Sequence, residues 1–374
     1  VLDGSHAVAS LEALVSAGDD PPAPPAAGDV SLAQAVGRSL AGARATAYLG
    51  GDVGPDALRR LTLAAGRQLP LVLHLVADAP AAHGRPAGGG HGTVHALADT
   101  GAFVLVARSA QEAVDLSLVA RRAAENGLCP GVVVMDDAET AAALQDVALP
   151  QWATVEELLG RPEDGIECPT PDQRVLFGDT RRRVPRWLDA ERPALLGAGM
   201  GPEAWGLGAA ARRPYRADAF HDVLDEAFEA VGTRTGRPLG PVEAQDANGA
   251  DLVVVAAGAL AEIAASVAGH LGNGGGRVGW LAVRSLRPFP AREIGSELAL
   301  AGTVLVLERS DSPLAGDPPL TREIRAAVAE AVRGKDVPVP RVLPVIAGAG
   351  GLPVRARDLA ALAGDTNGRH APVW

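Results

Sequence analysis

Cysteine is nearly absent, with Cys129 and Cys168 the only two in 374 residues. That excludes an iron–sulfur cluster held by four cysteines of this chain and gives no disulfide scaffold. A reducing cytoplasm is the expected setting, and any electron transfer is expected to use groups carried elsewhere. Aromatic residues are also scarce, at 3%, while Ala, Gly, Val and Leu dominate. Cores of small aliphatics suit helices packed on sheets, so the composition favours an α/β architecture. No uninterrupted apolar run approaches the ~20 residues of a membrane helix, and nothing in the opening residues resembles a signal peptide. Positive charge is in deficit, with 34 Lys and Arg against 45 Asp and Glu, a formal charge of -11. Such a balance argues against nucleic acid, whose binders cluster basic residues against phosphates. The runs Arg181-Arg182-Arg183 and Arg212-Arg213 are local and read as solvated or subunit-facing patches.

What is present is length and alternation. At 47% hydrophobic and 21% charged residues, the chain is long enough for two or three cored domains. Helical patterns over 6–17, 31–41 and 55–65 alternate with strand-like runs over 44–49, 69–76 and 102–106. Short apolar runs between helices predict a mainly parallel sheet covered on both faces. Ser109 and Glu112 form a capping-box pattern, and Asn126-Gly127 is suited to leave that helix in the left-handed conformation. A buried strand follows over 131–135. Helices over 217–231, 260–271 and 320–332 then alternate with strands over 252–256, 278–283 and 303–308, implying a second parallel sheet.

The expected organisation is therefore two doubly wound, mainly parallel α/β domains. They cover 1–145 and 216–350, with an extended connector over 146–215 and a tail over 351–374. The connector has weak periodicity, many prolines and arginines, and tryptophans at 152, 187 and 205. It reads as a segment draped over another surface, on a neighbouring subunit. Asp19-Asp20-Pro21-Pro22-Ala23-Pro24-Pro25 forbids helix and central strand and reads as a linker.

Glycine clusters carry little chemistry here. Gly197-Ala198-Gly199-Met200-Gly201 lacks the third glycine of a dinucleotide fingerprint at its spacing, and Gly272 to Gly276 suits a helix stop and turn. His91 and His95 stand four apart and, with His83, have a spacing that metal ligands use, but the glycines at 88–90 and 92 make a rigid helix doubtful. Loop or interface histidines are the preferred reading.

Several stretches carry a family pattern. Leu2-Asp3-Gly4-Ser5-His6-Ala7, Ser109-Ala110-Gln111-Glu112-Ala113-Val114-Asp115-Leu116, Val278-Gly279 with Val283-Arg284 and Arg287-Pro288-Phe289, and Leu307-Glu308-Arg309 with Gly316-Asp317-Pro318 all belong here. Together with Gly197, Pro202, Gly208 and Pro214-Tyr215, they resemble the pyruvate:ferredoxin (flavodoxin) oxidoreductases, thiamine-dependent enzymes that oxidise 2-oxoacids. The resemblance implies a thiamine-diphosphate pyrimidine-domain-like fold, then a transketolase C-terminal-like one. It also implies specific site residues. Asp29 falls near the place of the glutamate that activates thiamine. Asp78 in Ala77-Asp78-Ala79 stands where the family arginine faces the 2-oxoacid carboxylate, and His83 and His91 match family histidines. The family's Tyr-Pro-Ile-Thr-Pro loop has no counterpart between Ala17 and Asp29, and Gly88-Gly89-Gly90 replaces most of an Ile-Phe-Gly-Asp run.

An aspartate in place of an arginine turns a charge-assisted pair into repulsion. The preferred expectation is a subunit or domain of a larger redox complex whose own thiamine and 2-oxoacid site has been lost. Its role would be structural or dimerising, with no cofactor in this chain. Thiamine diphosphate and iron–sulfur clusters or flavin would sit on partner chains, and a homodimer would form through the family interface. Two other readings stand beside it: an active α part of a 2-oxoacid:ferredoxin oxidoreductase completed by another chain, and a small-molecule-binding regulatory module.

Overall fold

Asp3 precedes an apolar stripe of small residues and accepts the His6 N–H at 2.8 Å, opening helix α1 (Gly4–Val15). The computed structural model describes residues 1–16, 29–51, 53–79, 88–189, 201–273 and 275–364. After α1 come α2 (Asp29–Leu40), β1 (Ala45–Gly51), α3 (Pro55–Gly66), β2 (Leu71–Ala77), α4 (Gly92–Ala98), β3 (Phe103–Ala107), α5 (Ala110–Gly127) and β4 (Gly131–Asp136). Strands β2, β3 and β4 are apolar on both faces and almost wholly buried, as parallel strands between helical layers must be. The Ser109 side chain accepts the Glu112 N–H at 3.2 Å and starts α5 as its pattern predicted. At its other end the left-handed residue is Leu128, φ 47°, one place beyond the expected Gly127. Leu128 is fully buried, and that burial offsets the steric cost of the conformation.

The weakly periodic stretch contains α6 (Trp152–Leu159), β5 (Gly165–Glu167), α7 (Pro171–Phe177), β6 (Thr180–Arg182) and α8 (Pro202–Arg212). Its part up to residue 189 is fastened to the first sheet's layers by Val155, Leu158 and Leu159 of α6 and, beyond that short helix, largely by polar bonds. Arg181 is buried and donates to Gln173 and to the carbonyls of Glu125 and Asn126, so it is not the solvated residue expected. Arg44 holds Glu125 with two bonds at 2.7 and 3.0 Å and also reaches the Leu159 and Gly160 carbonyls. By contrast α8 buries none of its residues.

The helix expected at the head of the second unit is α9 (Asp218–Thr235), and it lays Phe220, Leu224, Ala227 and Phe228 in one cluster with the apolar face of α5. Then come β7 (Val242–Gln245), β8 (Leu252–Ala257), α10 (Leu260–Asn273), β9 (Val278–Val283), β10 (Ser285–Arg287), α11 (Ala291–Leu298), β11 (Thr303–Glu308), α12 (Pro319–Val332), β12 (Arg341–Ile346) and α13 (Ala356–Gly364).

The first sheet has the order β1-β2-β4-β3-β10, the second β12-β11-β8-β9-β7, and each is parallel apart from its last strand. Strand β10 comes from beyond β9 of the second sheet, so the chain passes from one sheet to the other at Arg284. There the Arg284 carbonyl accepts the Val106 N–H at 2.7 Å, and its buried guanidinium pairs with Glu112 and Glu243. One apolar cluster continues from Leu73, Val104 and Val132 through Leu286 to Val253 and Val304. This handover turns the carboxyl ends of the two sheets' central strands towards each other. No described helix is long and apolar enough to cross a membrane.

Candidate functional site

Asp78 follows the last residue of β2, and Asp136 is the last residue of β4, its neighbour in the sheet. Parallel strands deliver their carboxyl ends to one edge, which in open α/β sheets is where ligands bind. From the second unit, Ala259 after β8 and Glu308 and Arg309 at the end of β11 meet that edge. Asp136 is fully buried. Its Oδ1 lies 2.7 Å from His91 Nε2, and its Oδ2 accepts the Ala259 N–H at 2.7 Å. Burial alone would raise this carboxyl, but the imidazole of His91, the guanidinium of Arg309 and the Ala259 N–H together hold it at about 2. The buried Arg309 guanidinium lies 3.9 Å from Asp136 and donates twice to Glu139, at 3.1 and 2.6 Å. The Arg309 carbonyl in turn accepts the His91 N–H. First and second units are thus joined by a chain of polar bonds through His91, Asp136, Arg309 and Glu139.

Beside this chain lies a concentration of negative charge. Asp78 Oδ1 accepts the N–H of its own neighbour Ala79 at 2.8 Å. The Asp137 carboxyl is raised by burial and by the charges of Asp78 and Glu139, which places both of them within electrostatic reach of Asp137. Deeper in the second unit, burial pushes Glu308 up to about 7, although Thr321 donates its N–H and hydroxyl to Oε1 at 2.6 and 2.8 Å.

The glycine run explains how the units approach so closely. A Cβ on Gly88 would lie 2.7 Å from the Gly351 Cα, one on Gly89 3.0 Å from Arg309 Nη1, and one on Gly90 2.9 Å from the Ala79 Cα. Gly258, at φ +65°, presents its bare Cα to Asp136, and a side chain there would collide with that carboxylate. Larger residues at 88 and 89 would push the second unit away from the strand ends, and one at 90 would collide with the backbone that follows β2.

The residues singled out from sequence fall as follows. Asp78 and His91 come to the same strand edge, with His91 turned onto Asp136. Asp29 is the first residue of α2, its side chain outside the described residues, and His83 lies outside them too. His95 meets the His91 ring edge to face at 6.5 Å, and burial, with His91 and Arg287 nearby, lowers it to about 3. Among the described residues no group of three His, Cys, Asp or Glu could hold a metal. Asp136, Glu139, Glu308 and Arg309 were missed, although an acidic pair closing the run Gly131 to Met135 and an ionic pair closing Thr303 to Leu307 were signals at strand ends.

Two family models match the chain: pyruvate flavodoxin/ferredoxin oxidoreductase, thiamine diphosphate-binding, over residues 30–191, and pyruvate:ferredoxin oxidoreductase core domain II over residues 250–359. A probable pyruvate-flavodoxin oxidoreductase of Escherichia coli K12 is 28% identical over 75% of this chain and 22% of its own length. A putative pyruvate-flavodoxin oxidoreductase of Synechocystis is 30% identical over 71% of this chain and 21% of its own. The pyruvate synthase subunit PorA of Methanothermobacter thermautotrophicus is 27% identical over 57% of this chain and 50% of its own. The chain thus spans about a fifth of the length of the first two. In fold it is similar to a 2-oxoglutarate:ferredoxin oxidoreductase of Magnetococcus marinus, with a TM-score of 0.67 at 16% identity, covering 97% of this chain and 64% of that one.

Proposed function

This chain belongs to the pyruvate:ferredoxin oxidoreductase family, as its N-terminal thiamine-diphosphate-binding region joined to core domain II, and from that premise we propose that it is a structural component of a larger redox enzyme whose own 2-oxoacid site has lapsed. The observation that carries the reading is the charge at the strand edge. Where the family resemblance expects an arginine, Asp78 stands within electrostatic reach of Asp137, which Glu139 also faces. A 2-oxoacid carboxylate brought there meets like charge. Among the described residues the guanidinium that meets this edge, that of Arg309, is buried and engaged by Glu139 and Asp136.

Thiamine diphosphate, when bound, supplies the carbanion that attacks the 2-oxo carbon. The described residues do not fit the substrate of that step. The closure of Gly88 and Gly89 onto Gly351 and Arg309 agrees, since it fills the approach to the strand ends with the protein's own second unit. In this reading the chain works as a homodimer beside other subunits of a cytoplasmic redox complex, and thiamine diphosphate, iron–sulfur clusters or flavin are carried by those partners.

The test is calorimetric titration of the purified assembly with thiamine diphosphate and magnesium, with the co-purifying chains identified by mass spectrometry. A partner carrying flavin or clusters, without thiamine binding at this chain, is the expected result. Tight, magnesium-dependent binding abolished by substituting Asp29 would overturn it and favour an active α part.

A further inference from the structure

At the opposite, amino-terminal end of the first sheet lies a cavity of about 520 Å³ that the strand-edge chemistry does not use. Its floor is apolar and comes from the sheet and its helices: Ala65 at the end of α3, Ala102 and Phe103 at the start of β3, and Phe220 of α9. The Phe103 and Phe220 rings meet there with centroids 5.2 Å apart. Cys129 completes the floor, its thiol raised by burial and lowered by the neighbouring Arg216.

The rim has the opposite character. Arg212, Arg213, Arg216, Arg287 and His221 line it, with no carboxylate among the lining side chains, in a chain whose acids outnumber its bases by 45 to 34. These guanidinia differ in how far they are committed. Arg287 is paired with Asp99 and Glu323. Arg216 donates to the Ala65 and Leu128 carbonyls, at 3.1 and 3.0 Å, and touches the Cys129 thiol, and no carboxylate among the described residues pairs with it. Arg212 stacks on Trp205 at 5.3 Å, and Arg213 has no carboxylate partner among the described residues. Unneutralised guanidinia over an apolar floor leave a vacancy for one kind of ligand. The floor removes an apolar body from water, and planar forks favour a carboxylate over a point charge. The volume is within the range of small-molecule sites.

We propose that this cavity binds a compact organic carboxylate with an aromatic or branched aliphatic body. Its apolar part lies against Phe103 and Phe220, and its carboxylate is held by Arg213 with Arg216. The site is on the far side of the sheet from Asp78 and Asp136, so it stands whether or not the strand-edge site has lapsed.

Phenylacetate serves as the probe and phenylacetamide as its uncharged counterpart, each titrated calorimetrically into the full chain. The acid is expected to bind, the amide at least about tenfold more weakly, and occupancy to slow alkylation of Cys129 by iodoacetamide relative to Cys168. Arg213→Glu, at an exposed position, should weaken phenylacetate about tenfold or more. Gly66→Leu offers a second route, because Gly66 lines the cavity and a Cβ on it meets nothing within 4 Å, so a larger side chain fits there without a clash. It should abolish binding with the circular dichroism unchanged. Failure of phenylacetate to bind, equal binding of acid and amide, or indifference of binding to Arg213→Glu would each overturn the proposal.

Discussion

Glu308 and Asp136 are buried carboxyls at one seam, yet they depart from ordinary values in opposite directions. Asp136 has a donor on each oxygen and is held near 2, so its contribution to stability is present above the ordinary aspartate value and lost as pH falls towards 2. Glu308 is dominated by burial, which raises it from 4.5 to about 7. Between those two values the folded state holds a proton that the unfolded state has released, so the contribution is full below about pH 4.5 and lost as pH rises through 7. The difference amounts to on the order of 3 kcal/mol. Glu308→Gln, which imitates the protonated acid, should flatten the dependence of urea unfolding free energy on pH between 4.5 and 7.5. An unchanged slope would assign that dependence to another group. At this scale the sequence was only partly informative. Asp78 could be singled out because the family resemblance expects an arginine within its Ala-x-Ala frame. Asp136 and Arg309 were not, since they lie far apart in the chain and become neighbours only when two separate sheets meet end to end.

Elements were more legible than contacts. Strands β2, β3, β4, β8 and β11 announce themselves as short apolar runs, because a strand covered on both faces has no polar alternation to keep. Strand β10 could not be read. Its three residues, Ser285, Leu286 and Arg287, are too few and too polar to read as a strand, and nothing local says that the chain changes sheets at Arg284. That arginine is a conspicuous test of the handover. It is buried, its Nε donates to Glu112 of the first unit at 2.5 Å, and it is also paired with Glu243 of the second. Arg284→Ala leaves Glu112 buried with less compensation, and removing one partner of a buried pair costs about 3–5 kcal/mol. The expected outcome is a loss of that size in chemical denaturation. Glu112→Gln in the same background should recover part of it by removing the stranded charge, and a double-mutant cycle showing no coupling between 112 and 284 would contradict the role given to the pair.

On the scale of the whole molecule, the sequence divides into two α/β patterns joined by an extended connector. In the structure the two sheets share one apolar cluster, the second unit lends a strand to the first, and the seam closes through His91, Asp136, Ala259 and Arg309. Bodies joined in this way should lose structure together. Differential scanning calorimetry is expected to show one transition with matching calorimetric and van't Hoff enthalpies, whereas two resolved transitions would mean that the seam is weaker than its bonds suggest.

The borrowed strand also bears on how the protein is made. A ribosome releases the chain from its amino terminus, and domains ordinarily fold as soon as their last element emerges. Here the first sheet cannot gain its edge strand β10 until Arg287 has left the exit tunnel, long after β4 ended at Asp136. Until then β3 presents an open edge to the cell, and the nascent chain depends on whatever shields it.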